Sequence, residues 1–455
     1  MKKIRIAIIG GVAAGASAAG KAARTNPDAE ITIFEKGPYI SFAGCGLPYY
    51  ISGEVRDRGR LIVRRPADLK EKYGIEVFVN TEVTAIQRHS RKLDVKNLTD
   101  GTTWQYEYDK LIIATGASTI IPKLPGIDGP GIFSLRTIPD VDSIEDYIRN
   151  NSPVSAVVIG GGYIGIEAAD VLCKRGLNTS VFEMAPQILP PFDPEIAQFI
   201  ENRMKEKGVH IFKGSPVERI DAGGGGTPRR VCSADGRWAD ADLIIMSLGV
   251  RPNIKLAVDA GLNIGKFGIS TDDYMCTSDP DIYAAGDAVE SMNIVTGSPS
   301  WSPLAGPANQ QGKVAGCNAA GGFMRFAGVL RTSIVAFDGL AAARTGITEK
   351  EILEEGLDYF TIMINSSSHA GYYPGSKPIH LKGIFRKQTG KLLGAQVVGE
   401  EGADKRIDVL ATAITAGMTA EDLESLDLAY SPQYSHPRDI VNVLGSSAKE
   451  RMGKD

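Results

Sequence analysis

The sequence has few cysteines, no long hydrophobic run and no excess of charge of one sign. Five cysteines lie far apart among 455 residues, which argues against a disulfide framework and favours a reducing, cytoplasmic location. No run of about 20 apolar residues could span a membrane. The first apolar run breaks at Gly10-Gly11, so we expect no secretion signal. The net charge of −4 gives no reason to expect nucleic acid or an anionic membrane as a partner.

Glycine, in contrast, is abundant, and two of its clusters have the same context. Each follows a short apolar strand, opens a helix, and is followed by a strand that ends in an acid. The segments are Ile4–Ile9, Gly10–Gly15, Ala16–Arg24 and Glu30–Glu35 in the first copy, and Ser155–Ile159, Gly160–Gly165, Ile166–Arg175 and Thr179–Glu183 in the second. From the first glycine to the acid is 25 residues in one copy and 23 in the other, which predicts two bound dinucleotides.

The second cluster has the full glycine pattern of a dinucleotide-binding turn, whereas Val12 replaces the middle glycine of the first. Gly160 permits the tight turn, Gly162 lets the backbone approach a diphosphate, and Gly165 lets the helix pack closely. Glu183 would accept hydrogen bonds from a ribose 2′-hydroxyl and repel a 2′-phosphate, and no arginine stands among the next four residues. We therefore predict a preference for NADH over NADPH.

The rest of the chain divides into further strands and a separate region. Three segments are typical of strands that end at ligand-binding turns: Leu111–Ala117, Leu243–Val250 and Asp281–Asp287. After Gly328, strand-like runs precede helices near Ala403–Ala416 and Ala420–Leu426, which predicts an α+β domain. The Gly223–Gly226 run is predicted to be a flexible hairpin loop.

These patterns predict an α/β fold with two Rossmann-like dinucleotide-binding domains and a separate C-terminal α+β domain.

The two clusters, the Ala114-Thr115-Gly116 turn and the Gly286-Asp287 motif together resemble the two-dinucleotide flavoprotein family. The resemblance implies FAD in the first site and NADH in the second, with NADPH left open as a donor. It also implies that Asp287 binds the ribityl chain of the flavin. It further implies a discontinuous FAD-binding domain over residues 1–118 and 252–327, an NAD(P)H-binding domain over residues 119–251, and a C-terminal α+β dimerisation domain over residues 328–455. The implied FAD residues are Gly10, Gly11, Val12, Ala13, Ala14, Gly15, Glu35, Lys36, Ser41, Val83, Ala114, Thr115, Gly116, Arg136, Gly286, Asp287, Leu304 and Ala305, and the implied NAD(P)H residues are Gly160, Gly162, Tyr163, Ile164, Gly165, Glu167 and Glu183.

The stretch Ser41–Tyr50, SFAGCGLPYY, resembles the single-cysteine branch of that family. This branch contains coenzyme A-disulfide reductases, NADH oxidases, NADH peroxidases and coenzyme A persulfide reductases. Cys45 stands in a turn predicted to start a helix, and a helix amino terminus can lower the pKa of a thiol. The stretches His369–Gly375, Glu401–Asp408 and Ala429–Arg438 resemble coenzyme A-disulfide reductases in particular.

That resemblance implies a mechanism in which Cys45 forms a mixed disulfide with coenzyme A. Electrons from NADH pass through FAD to this bond and release one coenzyme A. The Cys45 thiolate then attacks coenzyme A disulfide and restores the mixed disulfide. The sulfur of the substrate thus replaces the second cysteine that a dithiol enzyme needs.

The resemblance also implies a homodimer in which Tyr372 and Tyr430 reach the active site of the partner subunit. Their phenols would donate a proton to the leaving coenzyme A thiolate. Tyr373 is adjacent and could exchange roles with Tyr372. The implied coenzyme A contacts are Ser17, Lys21, Arg24, Ser41, Gly44 and Arg438, with Gln310 at a position that is often basic in the family.

Three alternatives stay open at this point. An oxidase or peroxidase would cycle Cys45 through sulfenic acid, but Ala13 stands where family peroxidases have a histidine. A persulfide or polysulfide reductase would use the same cysteine. A non-enzymatic, flavin-binding redox sensor would keep the nucleotide sites without turnover. We expect no metal site and a structural role for His436.

Overall fold

Two parallel sheets of the same construction form the first two-thirds of the fold. In this computed structural model, which describes residues 3–222 and 229–453, the first sheet has the spatial order β18 (Ile282–Ala284), β7 (Lys110–Ile113), β1 (Arg5–Ile9), β2 (Glu30–Phe34) and β3 (Glu76–Phe78). The second has the order β12 (His210–Lys213), β11 (Asn178–Glu183), β10 (Ser155–Ile159), β16 (Leu243–Met246) and β9 (Ile132–Ser134). Their central strands are apolar and buried on both faces, as parallel strands covered by helices require.

Each sheet continues into a smaller antiparallel sheet. One consists of β4 (Thr81–Gln87), β5 (Lys92–Asn97) and β6 (Thr103–Glu107), and the other of β13 (Val217–Asp221), β14 (Arg229–Ser233) and β15 (Trp238–Ala241). Two short pairs join β8 (Ala117–Thr119) to β17 (Val250–Pro252), and β19 (Ser291–Met292) to β20 (Pro299–Ser300). The predicted Gly223–Gly226 loop lies outside the described residues.

Helices pack against these sheets. They are α1 (Ala13–Thr25), α2 (Leu47–Ile51), α3 (Pro66–Tyr73), α4 (Ile138–Asn151), α5 (Tyr163–Lys174), α6 (Pro194–Glu206), α7 (Lys255–Asp259) and α8 (Ala305–Ala319). Helices α1 and α5 each start three residues earlier than predicted, because the third glycine of each cluster belongs to the first helical turn. Helices α1 and α8 pack backbone to backbone, since a Cβ on Gly312 would lie 2.2 Å from the carbonyl oxygen of Ala14.

The C-terminal part is a single antiparallel sheet backed by helices. Its strand order is β21 (Ser333–Phe337), β22 (Leu340–Gly346), β25 (Leu392–Gly399), β24 (Pro378–Arg386) and β23 (Tyr359–Ser367). The helices are α9 (Glu349–Glu355), α10 (Ala403–Ala416), α11 (Ala420–Ser425) and α12 (Ile440–Met452). The fold class expected from the sequence is confirmed, while the proposed domain boundaries stay predictions. In the described part of the chain, no helix is both long and apolar enough to cross a membrane.

Candidate active site

A large cavity of about 2220 Å³ lies where the two parallel sheets and the C-terminal sheet meet. We call it the main cavity. Its volume is more than twice the roughly 1,000 Å³ at the upper end of ordinary ligand sites. The predicted site residues that line it are Gly10, Val12, Ala13, Ala14, Ser17, Arg24, Glu35, Lys36, Ser41, Gly44, Cys45, Val83, Ala114, Thr115, Gly116, Arg136, Gly160, Gly162, Tyr163, Ile164, Glu167, Glu183, Gly286, Asp287, Leu304 and Ala305.

The remaining predicted residues are not part of that lining in the described chain: Gly11, Gly15, Gly165, Lys21, Arg438, Tyr372 and Tyr430. Gly15 and Gly165 have equivalent packing positions in the two copies. A Cβ added to Gly15 would lie 1.8 Å from the carbonyl oxygen of Gly10, and a Cβ added to Gly165 would lie 1.9 Å from the carbonyl oxygen of Gly160. These two glycines therefore permit the close approach of helix to turn, as the sequence pattern requires.

The two acids at the strand ends have the same geometry. The carboxylate of Glu35 accepts hydrogen bonds from the backbone N–H groups of Gly11 and Gly37, each at 2.7 Å. The carboxylate of Glu183 accepts in the same way from Gly161 and Ala185, each at 2.7 Å. Burial raises the pKa of Glu35 although these N–H groups lower it. Both carboxylates are thus fixed beside a glycine turn, where a nucleotide ribose would lie.

The predicted flavin contacts form a second group at the ends of β7 and β18. Arg136 Nη2 lies 3.4 Å from a carboxylate oxygen of Asp287. Burial raises the pKa of Asp287, and the nearby guanidinium of Arg136 opposes this rise. The hydroxyl of Thr115 donates to the carbonyl oxygen of Asn253 at 2.7 Å, which ties the Ala114–Gly116 turn to the chain after β17.

The residues present around the first glycine turn fit FAD. Gly10 has a left-handed φ of +98°, and a Cβ there would lie 2.2 Å from the carbonyl oxygen of Ala114, so this tight turn requires glycine. Helices α1 and α8 both begin at the cavity and carry no acid in their first turns, so their amino termini favour phosphate. Glu35 would hold the adenosine ribose and Asp287 the ribityl hydroxyls.

Cys45 lies in a 3₁₀ turn, Gly44–Gly46, that leads directly into α2. The residue is exposed to the main cavity. Desolvation by the cavity walls, together with the negative charges of Glu167 and Asp287, raises the pKa of its thiol. This direction is opposite to the effect that a helix amino terminus can have on the pKa of a thiol. Helix α2 has only five residues, and two carboxylates oppose its weak positive end.

Glu167 projects from α5 toward the same part of the cavity. Burial, with a smaller contribution from Asp170, raises its pKa to about 7. The carboxyl group therefore exchanges its proton near neutral pH, and its charge acts on Cys45. Tyr163, one turn earlier on α5, pairs its hydroxyl with Ser333 Oγ at 2.6 Å.

The two predicted catalytic tyrosines lie together on the C-terminal domain. Their hydroxyl oxygens are 3.0 Å apart, and the side chains of Tyr372 and Tyr430 are 76% and 44% exposed. The hydrogen bond between the two hydroxyls raises the pKa of Tyr430. Tyr373 instead contacts Gln433, at 3.4 Å, and His436 Nε2 pairs with Ser367 Oγ at 2.9 Å.

The predicted coenzyme A contacts divide into two sets. Ser17 donates a hydrogen bond to Asn309 Oδ1 at 2.5 Å, and Arg24 lies over the ring of Tyr73 at 5.9 Å from its centroid. Both belong to the cavity wall. Arg438 lies elsewhere, bonded to Ser446 Oγ at 2.6 Å. Lys21 is half-buried outside the lining.

Sequence reasoning missed further polar groups in this wall: Arg64, Tyr73, Asn309 and Lys313. Asn309 and Lys313 are four residues apart on α8, so the helical period places them on one face. That spacing was a usable signal, whereas the exposed Gln310 between them points away from the lining.

Comparison with known proteins gives two matches to family models. Residues 4–312 match the model described as pyridine nucleotide-disulphide oxidoreductase. Residues 332–439 match the model of the dimerisation domain of that family.

Three relatives match along nearly their whole length. The NADH oxidase of Methanocaldococcus jannaschii is 36% identical over 453 residues, covering 99% of both chains. The NAD(P)H sulfur oxidoreductase (CoA-dependent) of Pyrococcus furiosus is 37% identical over 459 residues, covering 99% of this chain and 100% of that one. The coenzyme A disulfide reductase of Staphylococcus haemolyticus is 34% identical over 448 residues, covering 98% and 99%.

The family resemblance seen in the two glycine clusters and in the stretch around Cys45 is thereby confirmed. FAD and NAD(P)H are the cofactors of this family, and the main cavity has the residues and the volume to hold both. The chain belongs to the pyridine nucleotide-disulphide oxidoreductase family, as an FAD-dependent enzyme that takes electrons from NAD(P)H.

Proposed function

We propose that this enzyme reduces coenzyme A disulfide through a mixed disulfide between Cys45 and coenzyme A. One observation carries the proposal: within the described chain, Cys45 is the only cysteine in the main cavity. A dithiol mechanism has no second sulfur there. A small thiol that enters the cavity can supply it, and Ser17 and Arg24 offer polar contacts for the rest of that molecule.

The reaction balances with two electrons and two protons for each turnover. The S–S bond between Cys45 and coenzyme A gains two electrons and one proton, which yields a Cys45 thiolate and a free coenzyme A thiol. The thiolate attacks coenzyme A disulfide, forms a new mixed disulfide and expels a second coenzyme A thiolate, which takes up a proton. FAD supplies the relay between hydride donation by NADH and electron transfer to sulfur.

The chain's own residues tune the thiolate. Burial, together with the charges of Glu167 and Asp287, raises the pKa of Cys45, so a free thiol at this position ionises less readily than an ordinary cysteine. Cleavage of the mixed disulfide produces the thiolate directly, without prior ionisation of a thiol. The raised pKa then makes this thiolate more nucleophilic once formed.

Glu183 supports NADH as the preferred donor. Its carboxylate accepts two backbone hydrogen bonds at the turn where the adenosine ribose would bind. The exposed Met184 follows it and offers no positive charge for a 2′-phosphate. The dimer, the cytoplasmic location and the domain limits given above are part of the same proposal.

The test is anaerobic NADH oxidation by the purified enzyme with one acceptor at a time. We expect rapid turnover with coenzyme A disulfide. A coenzyme A persulfide is the second acceptor, because the Pyrococcus furiosus relative is named a CoA-dependent sulfur oxidoreductase. Turnover with the persulfide alone would move the function to sulfur reduction. Turnover with oxygen or peroxide alone would contradict both.

Tyr430→Phe is expected to lower kcat with coenzyme A disulfide by about 10²-fold, the loss of a general acid. A tyrosine phenol is protonated at neutral pH, and the hydrogen bond with Tyr372 raises the pKa of Tyr430 further, so this phenol has a proton to donate to the leaving thiolate. Steady-state kinetics checks the result, with Tyr434→Phe as the matched control, since that exposed tyrosine lies in the same segment. An unchanged kcat for Tyr430→Phe would show that Tyr430 does not donate a proton to the leaving thiolate.

A further inference from the structure

The C-terminal sheet contributes part of the wall of the main cavity, on the side of the second glycine turn. Arg331 and Ser333, at the start of β21, and Arg344, in β22, belong to the lining together with Gly162 and Tyr163. None of the sequence patterns marked these two arginines, because they are separated from the glycine turn by more than 160 residues.

The position of Arg331 is fixed by two contacts. Ser333, two residues later, pairs its hydroxyl with Tyr163 at the first position of α5, with 2.6 Å between the oxygens. Arg331 itself forms an ion pair with Glu351 of α9. Its side chain stays 29% exposed, so it has donors left for a ligand in the cavity.

Arg344 lies behind Arg331 and shares the same counter-ion. Its side chain is 2% exposed, and its Nη2 lies 3.1 Å from the second carboxylate oxygen of Glu351. Its Nε is buried and has no hydrogen-bond partner among the described residues. Two guanidinium groups therefore face one carboxylate, which leaves a net positive charge at this wall.

A helix amino terminus meets the same wall. Helix α5 has 12 residues, begins at Tyr163 and has no acid in its first turn, so its dipole adds to the positive potential. The carboxylate of Glu183 lies at the opposite end of the turn, where it suits an uncharged ribose. The diphosphate of NADH is the anion that fits between the two.

We propose that Arg331, supported by Arg344 and Glu351, binds the diphosphate of NADH, so that the C-terminal domain completes the nucleotide site of the second domain. The planar guanidinium matches two phosphate oxygens at once. NADH binding in one part of the chain then depends directly on a residue of the domain that also carries Tyr372 and Tyr430.

The test measures binding of ADP-ribose to the FAD-loaded enzyme by calorimetry, without turnover. Arg331→Gln is expected to raise the Kd for ADP-ribose by about 10-fold or more, because a charged hydrogen bond is lost. The affinity of the Arg331→Gln enzyme for ADP-ribose is also expected to depend less on salt concentration than that of the wild-type enzyme. Arg331→Lys keeps the charge and should restore part of the affinity. Arg325→Gln is the control, since Arg325 pairs with Asp273 outside the lining.

Two ligand comparisons decide the assignment. Adenosine, which has no phosphate, should bind the wild-type and Arg331→Gln enzymes equally. An unchanged Kd for ADP-ribose in Arg331→Gln would overturn the proposal. So would a loss confined to 2′-phospho-ADP-ribose, because Arg331 would then contact the 2′-phosphate instead of the diphosphate. Neither result depends on whether coenzyme A disulfide is the electron acceptor.

Discussion

Cys45→Ser is expected to abolish the reduction of coenzyme A disulfide, lowering kcat/KM on the order of 10⁴-fold or more, as loss of a catalytic nucleophile does. A serine hydroxyl cannot form the mixed disulfide, and no other cysteine in the described chain lines the main cavity. The substrate therefore has no alternative partner sulfur. Anaerobic oxidation of NADH with the disulfide as the acceptor measures the loss.

A second readout separates lost chemistry from lost folding. NADH should still bleach the flavin bound to Cys45→Ser, because that step does not need the cysteine. Intact mass should show coenzyme A attached to the wild-type chain after treatment with coenzyme A disulfide, and none on the variant. Cys276→Ser is the matched control, since its thiol lies near the carbonyl oxygen of Asp279, outside the cavity lining. Undiminished turnover in Cys45→Ser would end the mixed-disulfide proposal.

Lys382→Ala is expected to lower the free energy of unfolding by about 3–5 kcal/mol, the cost of leaving a buried charge unpaired. The Lys382 side chain is 2% exposed, and its ammonium nitrogen lies 2.7 Å from Asp193 and 2.6 Å from Glu349 and also contacts Glu195. Asp193 is itself 3% exposed. These contacts join α6 of the second domain to the C-terminal sheet, so their loss weakens the junction between the two.

The matched variants make this prediction specific. Lys382→Met combined with Asp193→Asn removes both buried charges and should recover most of the stability, since replacing a whole buried pair is often nearly neutral. Lys377→Ala removes an exposed lysine whose ion pair with Glu400 is worth at most about 1 kcal/mol. Denaturant unfolding of the FAD-loaded enzyme measures all three. An effect of Lys382→Ala no larger than that of Lys377→Ala would contradict the expectation.

Local patterns in the sequence predicted the parts of the site that short segments build. The glycine clusters, the acids Glu35 and Glu183, and the turn around Cys45 all have local signals, because strand, turn and helix follow one another within about 25 residues. The helix starts were misplaced by three residues at Gly15 and Gly165. A glycine pattern does not show whether the third glycine ends the turn or begins the helix.

The electrostatics could not be predicted in the same way. The pKa of Cys45 rises because the folded chain buries the thiol and brings Glu167 and Asp287, more than 120 residues away in sequence, close to it. The ion pairs of Lys382 likewise join residues that are distant in sequence, since Glu195 lies 187 positions before Lys382. Such contacts depend on how the domains pack together, and no local feature of a single sequence indicates that packing.

The position of β18 in the first sheet has a consequence for synthesis of the chain on the ribosome. This strand pairs with β7, yet 169 residues separate Ile113 from Ile282. At a synthesis rate of about 5–20 residues per second, β18 is therefore made about 8 to 34 s after β7. During that time the apolar edge of β7, Leu111 to Ile113, has unpaired backbone groups that other nascent chains can bind. Protection of this edge by chaperones would be needed longest while the second domain is being made.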